Sequence, residues 1–179
     1  MGQKWQSLNE NHINFIREQH MFFVATAPKT GHINLSPKGL DSLRVLSPDK
    51  VIWLNLTGSG NETAAHLLED NRITLMFNSF GEKPLILRIY GTASSIHPQD
   101  KSWEEMVAHF PDYPAKRQII AIDVELVHTS CGFGVPLYEF AGQRPTLEEW
   151  AAKKGEDGIR TYQQEKNETS MDGKPIGKY

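Results

Sequence analysis

The sequence predicts a mainly β protein, an antiparallel, Greek-key-like barrel of six to seven strands with peripheral helices. Apolar segments with strand-like patterns recur along the first 130 residues, and short turns containing Gly, Pro or Asp separate most of them. Helical periodicity is confined to short stretches between these segments. Strands that follow one another through hairpins, with few helices among them, are typical of an antiparallel barrel.

The first element is predicted to be a short amphipathic helix, followed by the strands. Ser7 and Glu10 have the spacing of a capping box, and apolar residues then follow helical spacing to about His20. Gly91 is expected to mark a bulge in a long strand. The predicted strand segments are "MFFVATAP", "HINLSPKG", "SLRVLSPDKVIWLNLT" (two strands), "ITLMFNSF", "LILRIYGTASSI" and "IIAIDVELVHTS".

Three further helices are expected, over residues 62–70, over residues 99–110 and in "LEEWAAKKG". Thr146 and Glu149 have capping-box spacing before the last of them. The composition changes after the strongest strand, so residues 1–130 are predicted as the barrel domain. Residues 131–179 are predicted as a C-terminal extension that packs on the barrel or on a partner subunit, with a polar end that buries little.

Composition and charge exclude several classes of protein. The 179 residues carry a net charge of −3 without a basic stripe, which argues against nucleic-acid binding. No run approaches the ~18 apolar residues of a membrane span, so no membrane partner is expected. The single Cys131 excludes a disulfide framework and is typical of a reducing compartment, so a soluble, cytoplasmic protein is predicted. Cys131 itself is expected to be a small buried thiol.

The segment "LNLTGSGNETAAHLLEDNR", residues 54–72, places a glycine turn before a helix. Backbone N–H groups at a helix N-terminus favour a bound anion. A tight turn also needs Gly, Ser and Asn for conformational reasons alone. Neither GxxxxGK[ST] nor GxGxxG is matched, so a P-loop or dinucleotide-binding enzyme is not expected. A phosphate site and a ligand-free turn both remain open.

The polar residues near the turn favour the ligand. Ser59, Asn61 and Thr63 group hydroxyl and amide donors at the helix start, and Lys38 in "SPKG" would supply a cation if the two segments meet. Glu62 would repel a phosphate unless its carboxylate turns away.

The segments "HINLSPKG", "VIWLNLTGSGNETAAHLLEDNRITLMF" and "LILRIYGTA" together resemble the pyridoxamine 5'-phosphate oxidase-like FMN-binding split-barrel family. The resemblance covers roughly residues 10–130. It implies a split barrel, a homodimer with FMN at the subunit interface, and a small-molecule substrate. The cofactor-binding positions that it implies are Leu35, Ser36, Pro37, Lys38, Ser59, Asn61, Glu62, Thr63 and Arg88.

Family members often carry basic residues at the helix start, where this chain has Glu62 and Thr63. Lys38, Arg44 or Arg88 would then supply the charge for the phosphate, or the cofactor is held weakly, or another ligand binds.

Three functions follow from these observations. The first is an FMN-dependent oxidoreductase of a small molecule, in which the flavin supplies the redox chemistry and no catalytic side chain is identified. The second is a non-catalytic protein that binds a flavin, haem or a deazaflavin, and the third is a ligand-free barrel. Residues 130–140, rich in glycine and aromatic residues, are expected to cover the flavin of the partner chain.

Overall fold

The computed structural model describes residues 2–177, and its main feature is one antiparallel sheet of eight strands. Residue 1 of the predicted barrel domain and residues 178–179 of the predicted extension lie outside the described residues. The strands are β1 (Gln3–Trp5), β2 (Phe22–Thr26), β3 (Asn34–Lys38), β4 (Leu43–Ser47), β5 (Lys50–Leu56), β6 (Arg72–Asn78), β7 (Ile86–Ile96) and β8 (Lys116–Ser130). The helices are α1 (Glu10–Glu18), α2 (Glu62–Glu69), α3 (Trp103–Val107) and α4 (Thr146–Lys166).

Seven strands follow one hydrogen-bonded path in the order β3-β2-β6-β7-β8-β5-β4, and β1 pairs with β8 beside it. The predicted mainly β, antiparallel class with six to seven barrel strands is therefore confirmed. The eighth strand, β1, was not predicted because its three residues are too few to show a period. β3 and β4 form the two ends of the path, and the short connection between them crosses the split of the barrel.

The larger core cluster lies on one face of the sheet, with residues from β2, β5, β6, β7 and β8, and a second cluster lies on the other face of β5 and β8. Val24, Leu75, Ile89 and Ile122 are among the residues without solvent exposure. The bulge predicted at Gly91 is confirmed, since the β7–β8 register shifts between Tyr90 and Gly91. A Cβ at this glycine would lie 1.9 Å from the Asp123 carbonyl oxygen, so only glycine fits.

Helix α3 closes the outer face of β5 and β8. Trp103 and Phe110 pack there on Leu54 and Ile119. The helix is shorter than the predicted residues 99–110, because turns occupy both ends of that stretch.

Both predicted capping boxes are wrong. Helix α1 begins two residues later than expected, because Asn9 is its N-cap: its side chain accepts from the His12 backbone N–H at 3.0 Å, while His12 Nδ1 accepts from the Asn9 N–H. Helix α4 begins after Pro145, which places Thr146 inside the first turn. It extends to Lys166, with a kink at Gly155, where φ is +67°.

The C-terminal tail after α4 packs on α2 through a few residues, while most of the polar end is exposed or half-buried, in line with the expectation that it buries little. Ile176 is buried against Ala64 and Ala65, and Asn167 is fully buried. Cys131 is exposed rather than buried, because β8 ends at Ser130 and the chain turns away from the sheet at Gly132, where φ is +66°. No helix within residues 2–177 is long and apolar enough to cross a membrane.

Candidate functional site

A cavity of about 1070 Å³ opens at the split of the barrel. We call its sheet side the barrel wall, and its members used below are Lys38, Trp53, Asn55, Thr57 and Gly58. We call the side formed by the segment after β8 and the start of α4 the C-terminal wall, and its members used below are Tyr138, Phe140, Gln143, Arg144 and Trp150. The volume lies at the upper end of the roughly 300–1,000 Å³ range of small-molecule sites.

Lys38 is the cation of the barrel wall. It is the last residue of β3 and pairs in register with Phe22, so its side chain shares the core-facing side of the sheet. The ammonium lies 4.9 Å from the centroid of the Trp53 ring. Burial, together with the positive charge of Arg117, lowers the pKa of Lys38 to about 8. Among residues 2–177, no carboxylate forms an ion pair with Lys38, so its charge is suited to an anionic ligand.

Arg117 lies directly behind the barrel wall and is only 3% exposed. It donates hydrogen bonds to the Gly60 carbonyl at 3.0 Å, to Asn55 Oδ1 at 3.2 Å and to Asn167 Oδ1 at 2.7 Å. One guanidinium thus connects the glycine turn, a residue of the cavity and the end of α4. The sequence did not reveal this role, because the strand was expected to begin at Ile119, after Arg117.

The side chain of Asn61 belongs to a buried amide cluster. It exchanges hydrogen bonds with Gln118 at 3.0 and 3.2 Å and accepts one from Asn55 Nδ2 at 3.3 Å. Asn167 Nδ2 donates to the Gly58 carbonyl at 3.1 Å, which fixes the turn from the other side. The cluster orders the glycine turn and uses the Asn61 carboxamide for that purpose.

Glu62 and Thr63, at the start of α2, also contact their own chain. The Glu62 carboxylate accepts from the Met171 backbone N–H at 3.1 and 3.2 Å, so it turns toward the C-terminal tail. Thr63 Oγ1 accepts from Asn34 Nδ2 at 3.3 Å. The tail therefore fixes the orientation of the Glu62 carboxylate, which still lies beside Gly60 of the turn.

The remaining predicted site residues are spread over the fold. Pro37 lines the cavity beside Lys38, whereas Leu35 on the same strand is 64% exposed. Ser36 is half-buried on β3 and Ser59 is exposed in the turn. Arg88, on β7, donates to Ser130 Oγ at 3.1 Å.

Neither of the other cations proposed to replace the missing basic residues lies at the cavity. Arg88 is not among the residues that line it, and Arg44 instead pairs with Asp41 and donates to the His109 carbonyl at 2.8 Å. Of the three candidates, only Lys38 faces the cavity.

The C-terminal wall is held in place by specific contacts. The Phe140 ring stacks on His20 with centroids 3.6 Å apart and an angle of 12° between the planes. Gln143 donates to the His20 carbonyl at 3.1 Å and accepts from the Leu40 N–H at 3.2 Å. Residues 130–140 were expected to cover a partner chain's site, but Tyr138 and Phe140 line the cavity of their own chain. The pattern pointed to this segment as a cover for a ligand site, but not to the cavity of its own chain.

No group of three or more His, Cys, Asp or Glu side chains in residues 2–177 is arranged to hold a metal ion.

Comparison with known proteins identifies the family. Residues 8–131 match the family model described as pyridoxamine 5'-phosphate oxidase. The chain belongs to the pyridoxamine 5'-phosphate oxidase family. A curated member of this family, the pyridoxamine 5'-phosphate oxidase family protein ustO of Aspergillus flavus, is 38% identical over an alignment of 191 positions, gaps included. The alignment covers 96% of this chain and 76% of the relative.

Two solved structures show the same fold at low identity. A pyridoxamine 5'-phosphate oxidase homologue from Lactobacillus delbrueckii has a TM-score of 0.56 and 19% identity, covering 69% of this chain and 94% of its own. The FAD binding protein from Mycobacterium smegmatis has a TM-score of 0.50 and 9% identity, covering 70% and 97%. These likenesses confirm the split barrel that the family resemblance implied.

Proposed function

We propose that this protein is an FMN-binding flavoprotein with the cofactor in the cavity at the barrel split. The observation that carries this proposal is the position of Lys38, a partly desolvated cation without a carboxylate partner in residues 2–177, on the wall of a cavity large enough for a flavin. Such a lysine favours a phosphate monoester, because the ion pair offsets the free energy that the ammonium loses when burial removes it from water.

The residues of the barrel wall fit the group. Lys38 would hold the phosphate, and the buried Trp53 ring, 1% exposed, lies beside the Lys38 ammonium and orders it. Gly58 lines the same wall, and a Cβ at this position would meet no atom within 4 Å, so the turn leaves room for a ligand. The bound flavin supplies hydride and electron transfer, while the protein supplies binding and orientation.

The other predicted contacts take different parts in this proposal. Asn61, Glu62 and Thr63 shape the turn, through the amide cluster, the tail and β3, rather than bind the phosphate directly. Leu35, Ser36, Ser59 and Arg88 stay proposed FMN contacts that require a second protomer. Ile33 and Leu35 are 77% and 64% exposed on the edge strand region, which favours a homodimer that covers them.

The proposed activity is oxidation or reduction of a small molecule, and a spectrum tests the first step. Purified protein mixed with FMN should show a perturbed flavin absorbance and quenched fluorescence, and sedimentation should give about twice 20.3 kDa. Reduction of the bound flavin by NADH or NADPH, followed by reoxidation by a substrate, would distinguish an oxidoreductase from a protein that only binds flavin. An unperturbed FMN spectrum at millimolar protein would contradict the proposal.

A further inference from the structure

The C-terminal wall presents aromatic surface to the cavity without covering it. Tyr138 is 67% exposed and Phe140 is 52% exposed, although both line the cavity. Aromatic side chains in a concave site gain by contact with another flat, apolar surface, because both surfaces leave water. Phe133 in the same segment is 81% exposed but does not line the cavity. Tyr138 and Phe140 therefore differ from Phe133 in their position at the cavity, not in being exposed.

This aromatic surface is ordered by contacts on three sides. Phe140 is fixed by its stack with His20, and the Tyr138 N–H donates to the Phe80 carbonyl at 3.1 Å, with the two rings 5.2 Å apart. Gln143 ties the segment to the split of the barrel through two hydrogen bonds. Because these side chains are already ordered, little conformational entropy is lost when a planar ligand binds against them.

The charges on this side of the cavity do not favour a phosphate. Arg144 is its cation and Glu139 its carboxylate, and Glu18, two residues before the His20 that stacks on Phe140, also lines the cavity. Lys38 is on the barrel wall and is assigned to the phosphate of FMN in the proposed function. A second phosphate would therefore meet more negative than positive charge on this side of the cavity.

We propose that the C-terminal wall is a substrate subsite for a planar aromatic molecule that carries no phosphate. The proposal rests on the proposed function for its flavin partner. The cavity of about 1070 Å³ is as large as the largest ordinary small-molecule sites, so a small ring has room beside a cofactor on the barrel wall. The subsite thus selects by ring shape and by the absence of a strongly anionic group.

The test compares 1-naphthol with 1-naphthyl phosphate, which differ only in the phosphate. Binding is measured by calorimetry to the FMN-loaded protein and to the FMN-free Lys38→Met variant, in which Lys38 no longer captures a phosphate. We expect 1-naphthol to bind at least as tightly as 1-naphthyl phosphate in both. Tenfold tighter binding of the phosphate in either form would overturn the proposal.

Matched variants locate the binding surface. Phe140→Ala and Tyr138→Ala should each weaken 1-naphthol binding roughly five- to tenfold, the scale of one lost aromatic contact. Phe133→Ala removes a ring of the same segment outside the cavity and should leave binding unchanged. Equal effects of Phe133→Ala and Phe140→Ala would overturn the assignment. If FMN fails to bind while Phe140→Ala still weakens 1-naphthol binding, the proposed function is rejected and the aromatic subsite is retained.

Discussion

The ammonium of Lys38 lies 4.9 Å from the centroid of the Trp53 ring, on the wall of the cavity at the barrel split. The ring face offers the cation a weak partner that does not neutralise its charge. Lys38 thus remains available to an anion while its side chain is already ordered. This pair is the basis of the first two predictions.

Removal of the Lys38 charge should weaken FMN binding. Loss of a charge-assisted hydrogen bond to phosphate costs on the order of 1.5–3 kcal/mol, so Lys38→Met should raise the Kd roughly tenfold or more. Lys83→Met, which removes an exposed lysine from the β6–β7 connection, serves as the control and should leave the Kd unchanged. Fluorescence titration measures both. Equal Kd values for the wild type and Lys38→Met would remove this residue from the site.

FMN affinity should depend on pH through the same group. Because the pKa of Lys38 is lowered to about 8, the free protein loses this cation as the pH rises through 8. The phosphate loses its second charge below about pH 6, so affinity should be greatest between about pH 6 and 8. The decline above pH 8 should be absent in Lys38→Met. A decline of equal size in that variant would assign the effect to another group.

The stability of the ligand-free protein should respond to pH in the opposite direction. The folded-state pKa of Lys38 lies below its unfolded value of 10.5, so the unfolded chain binds more protons between about pH 8 and 10.5. Stability contributed by this group therefore rises with pH across that window. Urea unfolding of the wild type and of Lys38→Met, each at pH 7.5 and pH 10, measures the difference. A rise of the same size in both proteins would contradict the assignment.

Arg117→Met should destabilise the fold and change the titration of Lys38. The variant leaves acceptors at Gly60, Asn55 and Asn167 without their donor, at a cost of about 2–4 kcal/mol in total. It also removes the positive charge that helps to lower the pKa of Lys38, so the upper limit of FMN binding should move to higher pH. Arg160→Met, in an exposed ion pair on α4, is the control and should change stability by less than about 0.5 kcal/mol. An unfolding free energy unchanged by Arg117→Met would show that the cluster is not structural.

The attachment of the C-terminal tail should weaken as the pH rises. The Asp172 side chain accepts from the His32 backbone N–H at 2.8 Å and lies 2.6 Å from His32 Nδ1. The hydrogen bond to Asp172 and the attraction of its charge raise the pKa of His32, so the stabilisation is fully present below pH 6.5 and is lost as the pH rises through the raised value. The protection factors of residues 170–176 against hydrogen exchange, corrected for the intrinsic rise of exchange with pH, should fall through that range in the wild type and stay constant in His32→Gln. An equal fall of the protection factors in both proteins would contradict a role for His32.

Local patterns predicted most of the fold, because each strand carries its own period and turn signals. The bulge at Gly91 reflects a close backbone approach that only glycine allows. The packing of Trp103 reflects apolar spacing, and a single segment displays both signals. Helix starts were less predictable. Ser7–Glu10 and Asn9–His12 have the same spacing, and only tertiary contacts decide which one caps α1.

The candidate site was predictable only in part, since most of its contacts join residues far apart in the chain. Lys38 was identified as a cation near the turn, but Arg117 meets the turn across 57 residues and Asn167 across 109 residues. The position of Tyr138 and Phe140 on the cavity depends on how the chain returns to the barrel after Gly132. No local period encodes that return.

The side-chain carboxamide of Gln143 makes two hydrogen bonds that connect the C-terminal wall to two chain segments at the split of the sheet. Its oxygen holds the backbone of Leu40, which lies in the left-handed region with φ of +60°, and its nitrogen holds the end of the segment after α1. A leucine in that conformation stores roughly 1–2 kcal/mol of strain, which the turn would release if it relaxed. The β3–β4 connection and the α1–β2 connection are therefore both tied to a segment a hundred residues downstream. Evolution could widen or narrow the entrance by altering that single side chain, without changing any strand.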